Sequence, residues 1–381
     1  MMKKVGLYIF ITGLLIAFTL PVSAFTIDTV KGGKMYIGGL FLTDIGYWNR
    51  SKERTGVNDQ TLFMLNVPTH SRVRGSFEVG DVGGYWELGN GGDVFEAVGN
   101  GAGVTNYIET RKLYGWYKFG RCEFRAGKDD GYLYTWTPDQ NLGNNHRHIR
   151  GYGFGSIFDS RNPQVRLTQK ISKEFGYMVT LLQAAVYVDQ TRTSYSSIPQ
   201  VSVKGMMDIG PVSFYPAVLF NTVKWDKMPG GYDDSLTAWM TLFPLRVKAR
   251  AFTGLLQFGY GQNIQSILTA ENSYQQYQRV NGVIKNTTGM NGFIDLGYTI
   301  GKATPHIYFG FDRATNSDAY KKGDDSNTQT VIGASLMYEV SPGFFLNPEF
   351  SYYTDGTQPG IASKTDLGTE WMGGMQIRFV F

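Results

Sequence analysis

Beyond residue 24 this chain has no uncharged apolar stretch near the roughly 20 residues that a membrane-spanning helix needs, so the remainder either stays in water or crosses a membrane by another route. It has one cysteine, Cys122, which excludes an intrachain disulfide. A small apolar role suits that residue better than a reactive thiol. Histidine is scarce as well: four residues, at 70, 146, 148 and 306, too scattered to gather a nucleophile, a base and an orienting group. His146 and His148 stand two apart in "NHRH" with no third ligand in view, so no metal, no cofactor and no enzymatic step is expected. Charge of one sign is lacking too. Lys and Arg number 36 against 32 acids, a balance that argues against a nucleic-acid partner.

What is present points to strands. Aromatic residues make up 15% of the chain and there are 48 glycines, a mix that suits strands and turns better than helices. The opening segment "MMKKVGLYIFITGLLIAFTLPVSAFT" stands apart. Lys3 and Lys4 precede an apolar run, and Ser23 and Ala24 supply a small-residue cleavage site before Phe25. Residues 1–24 therefore read as a secretory signal peptide, and 25–381 as the mature domain.

Along that domain polar and apolar residues alternate with period two. "RCEFRA" sets Arg121, Glu123 and Arg125 against Cys122, Phe124 and Ala126, and "PQVRLTQKI", "RVKARA" and "HIYFGFD" alternate in the same way. About sixteen strands follow from this pattern. Their expected cores are 35–48, 61–79, 82–89, 107–119, 121–128, 162–172, 175–188 and 199–208 in the first half. The second half adds 212–225, 234–243, 246–260, 289–300, 303–314, 328–340, 344–354 and 367–381. Tight links fall at "FGR", "SKEF", "IGP", "FPLR", "IGK" and "SPG", and long links alternate with them. A soluble sandwich has no reason to keep every second connection tight, whereas a membrane barrel has short turns on one side and long loops on the other.

The terminal run "GGMQIRFVF" fits a closing strand. Met375, Ile377, Phe379 and Phe381 share one face, with Gln376 and Arg378 on the other. The first would meet lipid and the second a water-filled interior, and pairing with the first strand would leave no open edge in the membrane.

A signal peptide, about sixteen strands, a long third loop and a terminal Phe together resemble the general porins of Gram-negative outer membranes. The resemblance covers the whole mature chain and rests on pattern rather than on one sharp motif. It implies an all-β transmembrane antiparallel barrel of about sixteen strands with the third loop, "DDGYLYTWTPDQNLGNNHRHIRGYGFGSIFDSR", folded into the lumen to narrow it. It further implies an outer-membrane channel for passive diffusion of small hydrophilic solutes and ions, a homotrimer in lipid and lipopolysaccharide, and a terminal strand (Ile377, Phe379, Phe381) read by the barrel-assembly machinery.

In that family loop acids oppose a basic wall. Asp129, Asp130, Asp139 and Asp159 take the acidic place, facing Arg72, Arg74, Lys112, Lys118, Arg121, Arg125, Arg166 and Lys170 on inward parity. Arg125 and Arg166 are expected near mid-height, and Arg246, Lys248 and Arg250 add positive charge. The expected result is a mild anion preference, weakened by Asp295, Asp312, Glu339, Glu349 and Glu370. Two other readings stay open: a substrate-specific channel, for which Tyr132, Tyr134 and Trp136 would supply stacking, and a barrel that sheathes a partner protein.

Overall fold

The computed structural model describes residues 25–28, 33–56, 58–68, 70–90, 108–131, 136, 154–155, 161–183, 194–196, 198–225, 232–266, 275, 277–320, 325–359 and 365–381. The expected signal segment, 1–24, lies outside them. The described chain is almost wholly strand. In order these are β1 (Lys34–Arg50), β2 in two parts (Gln60–Asn66 and Arg72–Val79), β3 (Val82–Asn90), β4 (Ile108–Phe119) and β5 (Cys122–Asp130). Next come β6 (Arg161–Lys170), β7 (Phe175–Leu182), β8 (Gln200–Ile209), β9 in two parts (Val212–Phe214 and Ala217–Trp225), β10 (Ser235–Ala249) and β11 (Phe252–Gln262). The last are β12 (Thr288–Tyr298), β13 (Ala303–Thr315), β14 (Ser326–Ser341), β15 (Phe344–Thr354) and β16 (Thr369–Val380).

Each strand pairs antiparallel with its predecessor, and β16 pairs with β1 from Leu40↔Val380 to Arg50↔Glu370, closing a sixteen-stranded barrel. Closure is what allows strands to cross lipid, because no backbone edge is left unpaired. The seam is held to its last residue: Gly39 N–H donates to Phe381 O at 2.6 Å, Phe381 N–H returns to Gly39 O at 3.1 Å, and the Phe381 ring lies 5.2 Å from that of Phe41. Phe25–Asp28 pairs with Lys34–Ile37 of β1 and continues the seam beyond the end of β16.

The burial pattern is inside out. Leu65 (60%), Ile307 (61%) and Ile332 (60%) are exposed on the outer wall, whereas Asp44, Asn291 and Asp312 are fully buried on the inner one. Such a band of outward apolar side chains belongs in hydrocarbon. Many aromatic rings lie over a glycine of the neighbouring strand. Trp116 covers Gly83 and Tyr308 covers Gly333, positions where a Cβ would collide with the ring.

Two expected features move. "FPLR" is not a turn: Phe243 to Arg246 lie within β10, and the chain reverses at Arg250 and Ala251. Pro244 is tolerated in mid-strand because its carbonyl accepts from Tyr215 N–H at the break between the two parts of β9, so its missing N–H faces that same break. The second expected strand is interrupted at Val67 to Ser71, where Ser71 N–H bonds to Pro68 O and Ser71 Oγ accepts from Leu42 N–H. Three residues of β1 face five of β2 across the gap, from Asp44↔Asn66 to Leu40↔Arg72. An excess of two preserves parity, so Arg72 and Arg74 still point inward.

Candidate functional site: the lumen wall

A closed barrel of this strand number encloses more space than its own wall side chains fill. Its chemistry is therefore that of the inward-facing residues. On β2 to β6 these are mainly basic, and the wall itself supplies their acidic partners. Glu87 on β3 meets Arg111 Nε at 2.8 Å and Arg72 Nε at 3.4 Å. Asp129 takes Arg125 Nη1 at 2.7 Å, Arg166 Nη1 at 3.3 Å and Lys112 Nζ at 3.8 Å. Asp130 takes Arg161 Nε at 3.2 Å and also pairs with Lys112. Lys118 pairs with Glu78 at 2.5 Å, and Arg125 also reaches Glu123 at 2.8 Å and lies 4.4 Å over the Tyr114 ring.

Arg125 and Arg166 stand directly across from one another in register. Like charges so placed repel, and the single carboxylate of Asp129 bridges them. This corrects the expected geometry, because Asp129 and Asp130 end β5 instead of opening the loop, and they bind the basic wall instead of opposing it from across the lumen. Arg74 is exposed to the interior. Lys118, Arg121 and Lys170 lie at the tight-turn end, where Arg121 Nη1 donates to Ile171 O at 2.7 Å. Arg246 and Lys248 belong to the same end of β10, and Arg250 to its turn. Asp139, Asp159, His146, His148, Tyr132 and Tyr134 fall outside the described residues.

Arg111 was not legible by parity. The β3–β4 register shifts between Glu87 and Leu88, which pair with Lys112 and Thr110. The extra residue in β4 turns both Arg111 and Lys112 toward the interior. Arg111 is 1% exposed against Glu87.

The opposite wall differs in exposure. On β12 to β16 four inward acids are sealed and partnered, while Glu339 on β14 is half-buried. Asp312 (0% exposed) accepts from Gly155 N–H at 3.0 Å and from Asn291. Asp295 (1%) meets His306 Nδ1 at 2.8 Å. Glu349 (5%) accepts from Tyr308 Oη at 3.0 Å, and Glu370 (2%) from Trp48 Nε1 at 2.9 Å.

Residues of the third connection, between β5 and β6, touch that far side. Phe154 is fully buried in a cluster with Trp48, Met64, Tyr308, Val331, Tyr353 and Met372. Gly155 O accepts from Gln257 Nε2 at 3.3 Å, while its N–H is bonded to Asp312. Trp136 packs 4.9 Å from Tyr215, with the Arg246 guanidinium 4.5 Å over its ring. Nothing in composition singled out Phe154; its partners come from six different strands.

No family model matches the chain, and no curated protein matches it. Solved structures do. The outer membrane channel DcaP of Acinetobacter baumannii matches with a TM-score of 0.72 at 16% identity, covering 93% of this chain and 99% of DcaP. An anion-selective porin from Comamonas acidovorans matches at 0.57 with 12% identity, over 92% and 100% of the two chains. OmpF of Salmonella typhi, in complex with daunomycin, matches at 0.57 with 11% identity, over 94% and 100%. At these identities the likeness is one of fold, and the fold is that of the outer-membrane porins.

Proposed function

We propose, taking the closed sixteen-stranded porin barrel as premise, that this protein is a channel of a Gram-negative outer membrane for passive diffusion of small hydrophilic solutes and ions, with a mild preference for anions. The observation that carries the preference is the unequal exposure of the two walls. Four inward acids on β12 to β16 are 0% to 5% exposed (Asp312, Asp295, Glu370, Glu349), so they are withdrawn from the aqueous path, and Glu339 is half-buried. Arg74, Lys118 and Arg125 keep contact with it. A pore with sealed acids on its far wall and the open Arg74 on its basic wall attracts anions, with Lys118 and Arg125 balanced by the partly exposed Glu78 and Glu123 beside them.

The third loop in this reading folds into the lumen and narrows it, a role supported by the docking of Phe154 and Gly155 against the far wall. Asp139 and Asp159 would join its acidic side. Residues 1–24 serve as the cleaved signal peptide, and the strand ending in Ile377, Phe379 and Phe381 as the assembly signal. The mature barrel is a homotrimer set in lipid and lipopolysaccharide.

Planar-bilayer recording in a salt gradient tests this. Long-lived steps with a zero-current potential of anion-selective sign are expected. A cation-selective sign overturns the preference, and folded barrels that pass no current overturn the open channel.

A further inference from the structure

The basic wall holds one aromatic side chain set differently from the others. Tyr114 stands between the Tyr85 ring, stacked at 5.2 Å, and the Arg125 guanidinium at 4.4 Å, so both of its faces are taken. Trp116, two residues nearer the tight-turn end, lies down instead. Its cross-strand partner is Gly83, and a Cβ there would run into the indole, so the ring rests on bare backbone; the half-buried residue also has the Tyr114 ring tilted 6.1 Å away and the Lys118 ammonium over it. The indole Nε1–H has no acceptor among the described residues, so no hydrogen bond accounts for how the ring lies.

Two ion pairs border this platform. Lys118 Nζ is 5.8 Å from the ring centroid and bonds to Glu78, with side chains 42% and 41% exposed. Arg125, directly across from Trp116 in register, bonds to Glu123, with 23% and 26% exposed. The Lys118–Glu78 pair is neutral as a unit, and Arg125 is shared between Glu123 and Asp129. Each pair also presents a donor beside an acceptor.

We infer that Trp116 and its bordering pairs form a subsite for a neutral sugar ring. The inference deepens the channel reading and rests on it for its biological sense. A pyranose has an apolar C–H face that packs on an aromatic ring, and vicinal hydroxyls that donate to a carboxylate while accepting from an ammonium or guanidinium. A simple anion would use the cations but has no need of a flat indole. An apolar ring would use the indole and leave two ion pairs partly desolvated.

Maltose is the probe, with two readouts. In the detergent-folded barrel the tryptophan fluorescence of the native protein changes saturably with maltose, and Trp116→Phe, which keeps a ring but not the indole, loses that change. In bilayers maltose interrupts the current of the native protein and of Trp116→Phe, while Trp116→Ala needs about five- to tenfold more sugar for the same interruption. No saturable fluorescence change in the native barrel, the same change in Trp116→Phe, or equal interruption in Trp116→Ala overturns the subsite. A fluorescence response in a barrel that passes no current leaves the subsite standing and overturns the channel.

Discussion

Arg250 sits in the two-residue reversal between β10 and β11 with φ 53, a conformation that strains any side chain bearing a Cβ. At the corresponding places in other tight turns the chain has Gly80, Gly120 and Gly210, with φ between 55 and 58. Arg250→Gly should therefore raise stability, by about 1 kcal/mol, read as a higher unfolding midpoint of the heat-modifiable band on a gel. Asp129 is the opposite case. It is 4% exposed and meets three cations, Arg125, Arg166 and Lys112. Asp129→Asn should lower stability by about 3 kcal/mol, because it leaves two facing guanidinium groups without their shared carboxylate. The same variant should move the zero-current potential further toward anion selectivity.

Among the elements, β4 and the third connection decide how the lumen is furnished. A one-residue bulge in β4 puts Arg111 and Lys112 on the same side, and so supplies Glu87 with a buried partner that strict alternation would have sent into lipid. The third connection is anchored through Phe154, which is fully buried in one cluster with side chains from β1, β2, β13, β14, β15 and β16 and packs edge-on against Tyr353. Phe154→Ala should free that anchor. The expected outcome is a larger and noisier single-channel conductance with an unchanged barrel circular-dichroism spectrum. A conductance equal to the native value would show that Phe154 does not set the narrow point.

For the whole molecule the seam between β1 and β16 is the element pairing on which closure depends. Removing Phe381 deletes two backbone hydrogen bonds to Gly39 and the ring that covers it. Refolding from urea into detergent should then be slower and give less heat-modifiable barrel, with the loss visible in a time course. Strand number, closure and the greasy outer face were legible in the sequence, because period-two alternation is a local property of each segment and lipid outside with water inside reads it directly. The turn at Arg250 was not, since its conformation is imposed by the strands it joins and no glycine marks it. Parity also placed Arg72, Arg125 and Arg166 on the inner wall, yet it could not say that Glu87 would bind the first and Asp129 the other two, that a bulge would add Arg111, or that Asp295, Asp312, Glu349 and Glu370 would be sealed. Those outcomes depend on contacts between residues far apart in the chain, and only the closed barrel, with part of its third connection lying against the far wall, brings them together.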